Sequence, residues 1–110
     1  VFKIDGTFVS EVFVAPNTPQ GSAFDAAFSG DKQQRFLYML DGRSEKVWII
    51  RRADLKVLGS FGEGGRFAGG MTTAHNMATD SKGNIYVTES GEGKRVQRFL
   101  YKGLGPAQVK

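Results

Sequence analysis

His75 is the only histidine in the chain, and there is no cysteine. Any imidazole-based proton transfer, such as that of a Ser-His-Asp site, would have to use that one residue. Thiolate metal sites, cysteine nucleophiles and a disulfide framework are excluded. Thr72, Thr73, Asp80 and Ser81 are the nearby groups that could serve as its partners. None has the spacing of a nucleophile elbow, so His75 reads first as a histidine hydrogen-bonded to its surroundings. Asp80 could ligate calcium, but its loop lacks the density of acidic oxygens that such a site needs. A turn role is the better reading for Asp80.

A second kind of chemistry is carried by cations interleaved with rings. Lys94, Arg95, Arg98 and Lys102 alternate with Phe99 and Tyr101, and Arg43, Lys46, Arg51 and Arg52 form a similar cluster upstream. Basic side chains can hold phosphates while rings stack on unpaired bases. The formal net charge is +4 and the sequence pI is about 9.6. That excess is small and fits a solvated surface, with Arg95 and Arg98 paired to Glu89 and Glu92 or facing water. The glycine-rich stretch Gly59-Ser60-Phe61-Gly62-Glu63-Gly64-Gly65-Arg66-Phe67-Ala68-Gly69-Gly70 could suggest a phosphate cradle. No strand–loop–helix context and no Gly-Lys-Ser/Thr accompanies it. It reads as a connection that needs positive φ at several positions.

These residues have to be placed by the elements around them. The chain has 110 residues, 40% hydrophobic and 24% charged, with 15 Gly and 9 Phe, a globular composition suited to short strands and many turns. Ala23 to Asp31 resembles Ala74 to Gly83. An alternating strand follows each, Phe36 to Asp41 and then Asn84 to Glu89. After a polar turn, Lys46-Val47-Trp48-Ile49-Ile50 matches Arg95-Val96-Gln97-Arg98-Phe99, an offset of 49 positions. A period of that size with four short strands per unit is the signature of propeller blades. Val1-Phe2-Lys3-Ile4, an Asp5-Gly6 turn and the alternation from Thr7 to Val14 supply a partial third copy. No segment has sustained helical periodicity with caps. The expectation is an all-β chain of four-stranded antiparallel units, about two and a half blades and an incomplete ring. Residues 1–14 form a partial blade, 22–61 a full one and 73–110 a second. Both faces of the second strand in each blade are semi-apolar, as stacking between neighbours requires. Trp48 is expected to pack between blades.

The residues that define the period resemble a known family. Phe61-Gly62-Glu63-Gly64-Gly65, then Asn76 to Glu89, then Lys94-Arg95-Val96-Gln97-Arg98-Phe99 look like an NHL repeat: a Gly-rich lead-in, a small apolar strand ending in Asp, a Gly-Asn turn, an Ile-Tyr-Val strand and an Arg-Val-Gln strand. The match is specific over Phe61 to Phe99 and looser over Ala23 to Phe61. The chain resembles the C-terminal blades of a bacterial NHL-repeat protein, including the tail Tyr101 to Pro106. The resemblance implies a propeller usually of six blades, more than this chain supplies. It also implies an extracellular or periplasmic setting. Val1 opens a strand-like pattern with no signal peptide, as expected of a cytoplasmic chain, a processed one or a piece of a longer protein.

A more distant similarity is to peptidyl-hydroxyglycine amidating lyase, whose blades carry zinc-binding histidines at the position of His75. By that resemblance His75 is the metal candidate. The other complete blade has Phe24 at the same place, and catalytic zinc normally takes three protein ligands. The expectation is therefore a binding module with no cofactor of its own. Its ligand, a protein, a peptide or a small molecule, would sit at the channel mouth around Phe24, Asp25, His75 and Asn76. The alternatives are a portion of a metal-dependent lyase-like or hydrolytic propeller, or an RNA-binding NHL surface at Lys94, Arg95, Arg98 and Lys102, though nucleic acid is not the expected partner. Open strand edges and unburied blade faces call for association with other blades or with a second copy, a dimer before a trimer. No apolar run approaches the roughly 20 residues that would span a bilayer.

Overall fold

The computed structural model of the chain describes residues 1–17 and 22–104. These residues contain nine strands and no helix: β1 Ala23–Phe28, β2 Phe36–Asp41, β3 Lys46–Arg51, β4 Lys56–Phe61, β5 Glu63–Gly64, β6 Gly70–Met71, β7 Ala74–Thr79, β8 Ile85–Glu89 and β9 Val96–Phe99. The first blade is the antiparallel sheet β1-β2-β3-β4 and the second is β7-β8-β9. A short parallel pair, β5 with β6, lies between them. Residues 105–110, the end of the expected second blade 73–110, lie outside the described residues. The stretch Leu100 to Leu104 forms no strand.

An aspartate organises most of the hairpin turns by accepting backbone N–H groups that the turn leaves unpaired. Asp41 Oδ1 accepts from the N–H groups of Arg43 at 3.0 Å and Ser44 at 2.8 Å. Asp54 Oδ1 accepts from Lys56 N–H at 3.1 Å, across Leu55 at φ 58°. Asp80 Oδ1 accepts from Lys82 and Asn84 N–H, while its Oδ2 accepts from Asn84 Nδ2 and the Tyr86 hydroxyl. Both oxygens of Asp80 are thus engaged in the turn that the Asp-Ser-Lys-Gly-Asn run predicts.

The two blades stack through alternate residues of their strands. Tyr38, Leu40 and Val47 of the first blade pack with Ala74, Met77, Ile85 and Val87 of the second, with Met71 from the connection joining them. Phe61 and Phe99 close the outer side, ring centroids 5.1 Å apart. Leu40, Val47, Met71, Ala74 and Val87 are fully buried. This is the pattern of a two-sided sheet: Tyr38 and Leu40 face the neighbour, while Leu37 and Met39 face away. Trp48 pairs with Met39, not Leu40, so it lies on the side away from the second blade. It is half-buried there and donates from Nε1 to Asp41 Oδ2 at 3.1 Å. The indole is not part of the packing between the two described blades.

The connection between blades is held by a buried ion pair. Glu89, at the end of β8, has a fully buried side chain. It accepts from Arg95 Nε, from Thr72 N–H and from Gln97 Nε2. The Arg95 guanidinium also donates to the carbonyls of Gly65, Arg66, Phe67 and Gly70. The glycine-rich connection therefore wraps a cation, with positive φ at Gly62, Gly65 and Gly69 as expected.

Within the expected partial blade 1–14, residues 1–10 form a hairpin with the expected turn at Gly6 (φ 89°), where Gly6 N–H donates to Lys3 carbonyl. A single antiparallel bridge, Phe2 with Phe8, joins its arms. Val1, Phe2, Ile4, Phe8, Val9, Val12 and Phe13 remain exposed. A two-stranded hairpin with no sheet beneath it buries too little apolar surface to extend its ladder.

Two outcomes follow. Leu40→Ala, at a fully buried position, should cost about 2–5 kcal/mol in chemical denaturation, against well under 1 kcal/mol for an exposed change such as Lys32→Ala. For Glu89, burial works to raise the carboxyl's pKa, but the hydrogen bonds from Arg95, Thr72 and Gln97 outweigh it and hold the group below its ordinary 4.5. The stabilisation is therefore complete above that value and is lost as pH falls through the lower folded-state pKa. Glu89→Gln should cost roughly 3 kcal/mol at neutral pH, as breaking a buried pair does. It should also flatten the acid limb of a stability–pH curve, and an acid limb unchanged by the substitution would show that Glu89 is not its source.

Candidate functional site

The inner strands β1 and β7 lie side by side and start the same way. In β1, Ala23 pairs with Asp41 and Asp25 with Leu40, leaving Phe24 as the extra residue of a bulge. In β7, Ala74 pairs with Glu89 and Asn76 with Thr88, leaving His75 as the extra residue. Bulges re-aim one side chain out of the ladder and are frequent beside functional sites. Here the two extra rings meet edge to face, centroids 6.0 Å apart and planes at 77°. Both are exposed, as is Asn76.

The surroundings of this ring pair are polar and basic. His75 Nδ1 lies 2.7 Å from Asn76 Oδ1. With the amide oxygen accepting, Nδ1 is the donor, and in the neutral imidazole Nε2 is then the acceptor. The Arg43 guanidinium lies over the Phe24 ring at 5.8 Å from its centroid. The ring itself lies over the β2–β3 turn at Gly42, where a Cβ would sit 2.3 Å from the Phe24 Cδ2. Only glycine permits that approach.

Asp25 behaves differently from its neighbours. Its Oδ1 accepts from Ala26 N–H and its Oδ2 from Met77 N–H of the next blade, each at 2.8 Å. The Met77 hydrogen bond is the main reason its carboxyl is held below the usual aspartate range. Glu45, from the β2–β3 turn at φ 55°, accepts from Thr73 N–H at 2.9 Å and Ala74 N–H at 3.3 Å. Thr79 Oγ1 donates to Phe28 carbonyl at 2.7 Å. Asp25 and Glu45 thus fasten the start of β7 to the first blade and hold His75 opposite Phe24. Sequence reasoning grouped Asp25 with the ligand-binding residues and overlooked Glu45. The signal for Glu45 would have been an acidic residue in a hairpin turn one blade ahead of exposed strand-start amides.

Of the basic residues, Lys94, Arg98 and Lys102 are exposed. Arg95 is turned inward onto Glu89 and four carbonyls, so its guanidinium is committed to the fold. Glu92 pairs with Arg66 at 2.9 Å, not with Arg98. In the upstream cluster Arg51 is paired with Asp54, Lys46 lies over Trp48 and Arg52 over Phe28. Among the described residues no three His, Asp or Glu side chains come together in a way that could hold a metal ion. No helix of the described residues is long and apolar enough to cross a membrane.

Comparison with known families gives one match: the family SBBP, described as a beta-propeller repeat, matches residues 60–88. That stretch runs from the end of β4 through the glycine-rich connection and β7 into β8. No curated protein matches the chain significantly. The matched repeat, together with stacked antiparallel blades and the absence of helix among the described residues, makes this chain a section of a β-propeller with an incomplete ring.

Proposed function

We propose that the chain is an NHL-type propeller section that binds a protein, a peptide or a small ligand at the mouth formed by the inner strands, with no catalysis of its own. The observation that carries this reading is the pair of equivalent bulges that turn Phe24 and His75 toward each other at an exposed rim. Two strands have each given up a ladder position to present a ring. Asn76 fixes the imidazole tautomer, and Arg43 adds a cation beside the rings. Together they offer an aromatic edge, one acceptor nitrogen and one guanidinium, a set suited to a ligand with an apolar ring or aliphatic group beside a hydrogen-bonding end.

A metal-dependent lyase-like or hydrolytic role has less support. His75 is a single imidazole, and its neighbours Phe24 and Asn76 are not zinc ligands of the usual kind. An RNA surface is supported only by Lys94, Arg98 and Lys102, because Arg95 is spent on the connection between blades.

The test is to pan a random peptide library on the immobilised chain and to measure a selected peptide by titration calorimetry. Phe24→Ala and His75→Ala should each weaken binding about tenfold or more, near 1.4 kcal/mol, with melting temperature unchanged. Asp25→Ala should instead lower stability by about 1–2 kcal/mol, because it leaves Met77 N–H without its acceptor. Peptides whose binding ignores Phe24 and His75, yet falls steeply with salt and with Arg98→Ala, would move the site to the outer basic strand.

A further inference from the structure

The second strand of each blade carries a tyrosine at the same place, Tyr38 in β2 and Tyr86 in β8, ahead of the buried Asp41 and Glu89. The two hydroxyls are treated differently. Tyr86 donates to Asp80 Oδ2 at 3.1 Å, so its own β7–β8 turn satisfies it. Tyr38 is only 6% exposed, and among the described residues nothing pairs with its hydroxyl. The cause is the longer β1–β2 turn, Ser29 to Arg35. Its aspartate, Asp31, is taken from within the turn. Oδ1 accepts from the Ser29 hydroxyl, and Oδ2 accepts from Arg35 N–H at 3.3 Å and Arg35 Nε at 3.2 Å. A largely buried hydroxyl without a partner costs free energy unless something outside the chain meets it.

Tyr38 lines a cavity of about 190 Å³ between the blades, with Ser29, Asp31 and Arg35 from the first turn, Lys82 from the second, and Tyr101. The cavity lies at the end of β1 and β7 away from Phe24 and His75. Burial pushes the Tyr38 phenol up in pKa, and Tyr101 and then Asp31 add to the rise. The hydroxyl therefore stands near both of those lining residues and keeps its proton for donation. A Cβ on Gly30 would sit 2.1 Å from the Asp80 carbonyl oxygen, so the two turns meet backbone to backbone and close one side. Tyr101 lies across Gly83, and its N–H donates to Asn84 Oδ1 at 3.0 Å, which holds it there. Arg35, tied to Asp31 through Nε, lies over the Phe36 ring at 5.6 Å from its centroid. Among the described residues nothing accepts a hydrogen bond from its two Nη groups.

We propose that this cavity binds a small monocarboxylate carrying one ring. The free Nη fork of Arg35 offers the planar, two-point geometry that a carboxylate matches. The Tyr38 hydroxyl donates to the same group and gains the partner it lacks. The ring of the ligand lies against Phe36 and Tyr101. An apolar cavity of about 150 Å³ takes benzene, so the space here holds one ring with its carboxylate. Arg35 and Lys82 set against Asp31 leave one positive charge on the lining, which fits a monoanion and not a phosphate dianion. The field around the cavity has the same sign. Lys32, Arg51, Arg52 and Lys56 stand at this end of the blades, while its other acids are engaged, Asp54 by Arg51 and Asp80 by its own turn. Such an excess draws anions toward the opening.

Titration of the intact chain with benzoate, followed by backbone amide NMR, tests the proposal. The resonances of Ser29, Arg35 and Lys82 should shift and saturate in the millimolar range, with those of Phe24 and His75 unmoved. Tyr38→Phe and Arg35→Gln should each weaken binding about tenfold or more. Tyr38→Phe should leave the melting temperature unchanged, because the hydroxyl it removes has no partner in the fold. Tyr86→Phe should do the converse, lowering the melting temperature and leaving benzoate affinity as it was. Benzyl alcohol, the same ring without the charge, should bind at least about tenfold more weakly. The proposal is overturned by the absence of saturable shifts, by benzyl alcohol binding as well as benzoate, or by an affinity indifferent to Tyr38→Phe. Inorganic phosphate binding as tightly as benzoate would also overturn it, by showing a general anion contact. Peptide binding at Phe24 and His75 is read on other residues, so either site can fail without the other.

Discussion

The buried carboxylate of Glu89 is the constraint around which the second blade is arranged. It sits at the end of β8 with its side chain out of water, a position tolerable only if every oxygen is met by a donor. Arg95, Gln97 and the Thr72 amide meet it. Each of these partners fixes something else. Arg95 gathers the carbonyls of the glycine-rich connection, and Gln97 Nε2 donates to Gly70 carbonyl. Thr72 N–H sets the chain on course into β7. The result is that a connection with little side-chain volume of its own has a defined path, and β7 begins at a defined height beside β1.

The first blade repeats this device with different residues. Asp41 occupies the place of Glu89, is fully buried, and accepts from Trp48 where Glu89 accepts from Gln97. The shorter aspartate reaches the amides of its own turn, Arg43 and Ser44, whereas the longer glutamate reaches across to Thr72. One methylene thus decides whether the carboxylate serves the turn or the preceding connection. Asp25 and Glu45 complete the linkage from the other side by accepting the amides of Met77, Thr73 and Ala74. The start of β7 is held to the first blade by these carboxylates, and the Phe24 ring lies against Gly42, so both rings remain exposed and are still positioned.

Much of this was legible before any coordinates. The offset between Val47-Trp48 and Val96-Gln97, and the likeness of Ala23-Phe24 to Ala74-His75, placed the strands and their equivalence, because period-2 alternation and Asp/Gly turns are local signals. The coincidence of Phe24 with His75 is a direct consequence of that equivalence. The roles of Asp25, Glu45 and Arg95 were not legible. Each depends on where a side chain of one blade lies against the backbone of the next, and strand periodicity carries no information on contacts between sheets. The pairing of Arg95 with Glu89 was one of the two readings that its strand pattern allowed, but its contacts with the connection were not legible. The four backbone carbonyls that surround Arg95 belong to a segment whose composition says only that it needs unusual backbone conformations. Trp48 shows the same limit: a large indole suggests a place between blades, and only its register opposite Met39 shows that it faces away from the second one.

Amide hydrogen exchange on the intact chain tests most directly whether the carboxylates make the two blades one unit. If they do, the amides of Thr72, Thr73, Ala74 and Met77, which donate to Glu89, Glu45 and Asp25, exchange only through the same global opening as those of Leu40 and Val47. Their opening free energies should then coincide and fall together in Glu89→Gln. Exchange of the β7 amides through a separate, lower-energy opening, with β2 and β3 still protected, would contradict the account and show that the second blade folds independently of the carboxylates that face it.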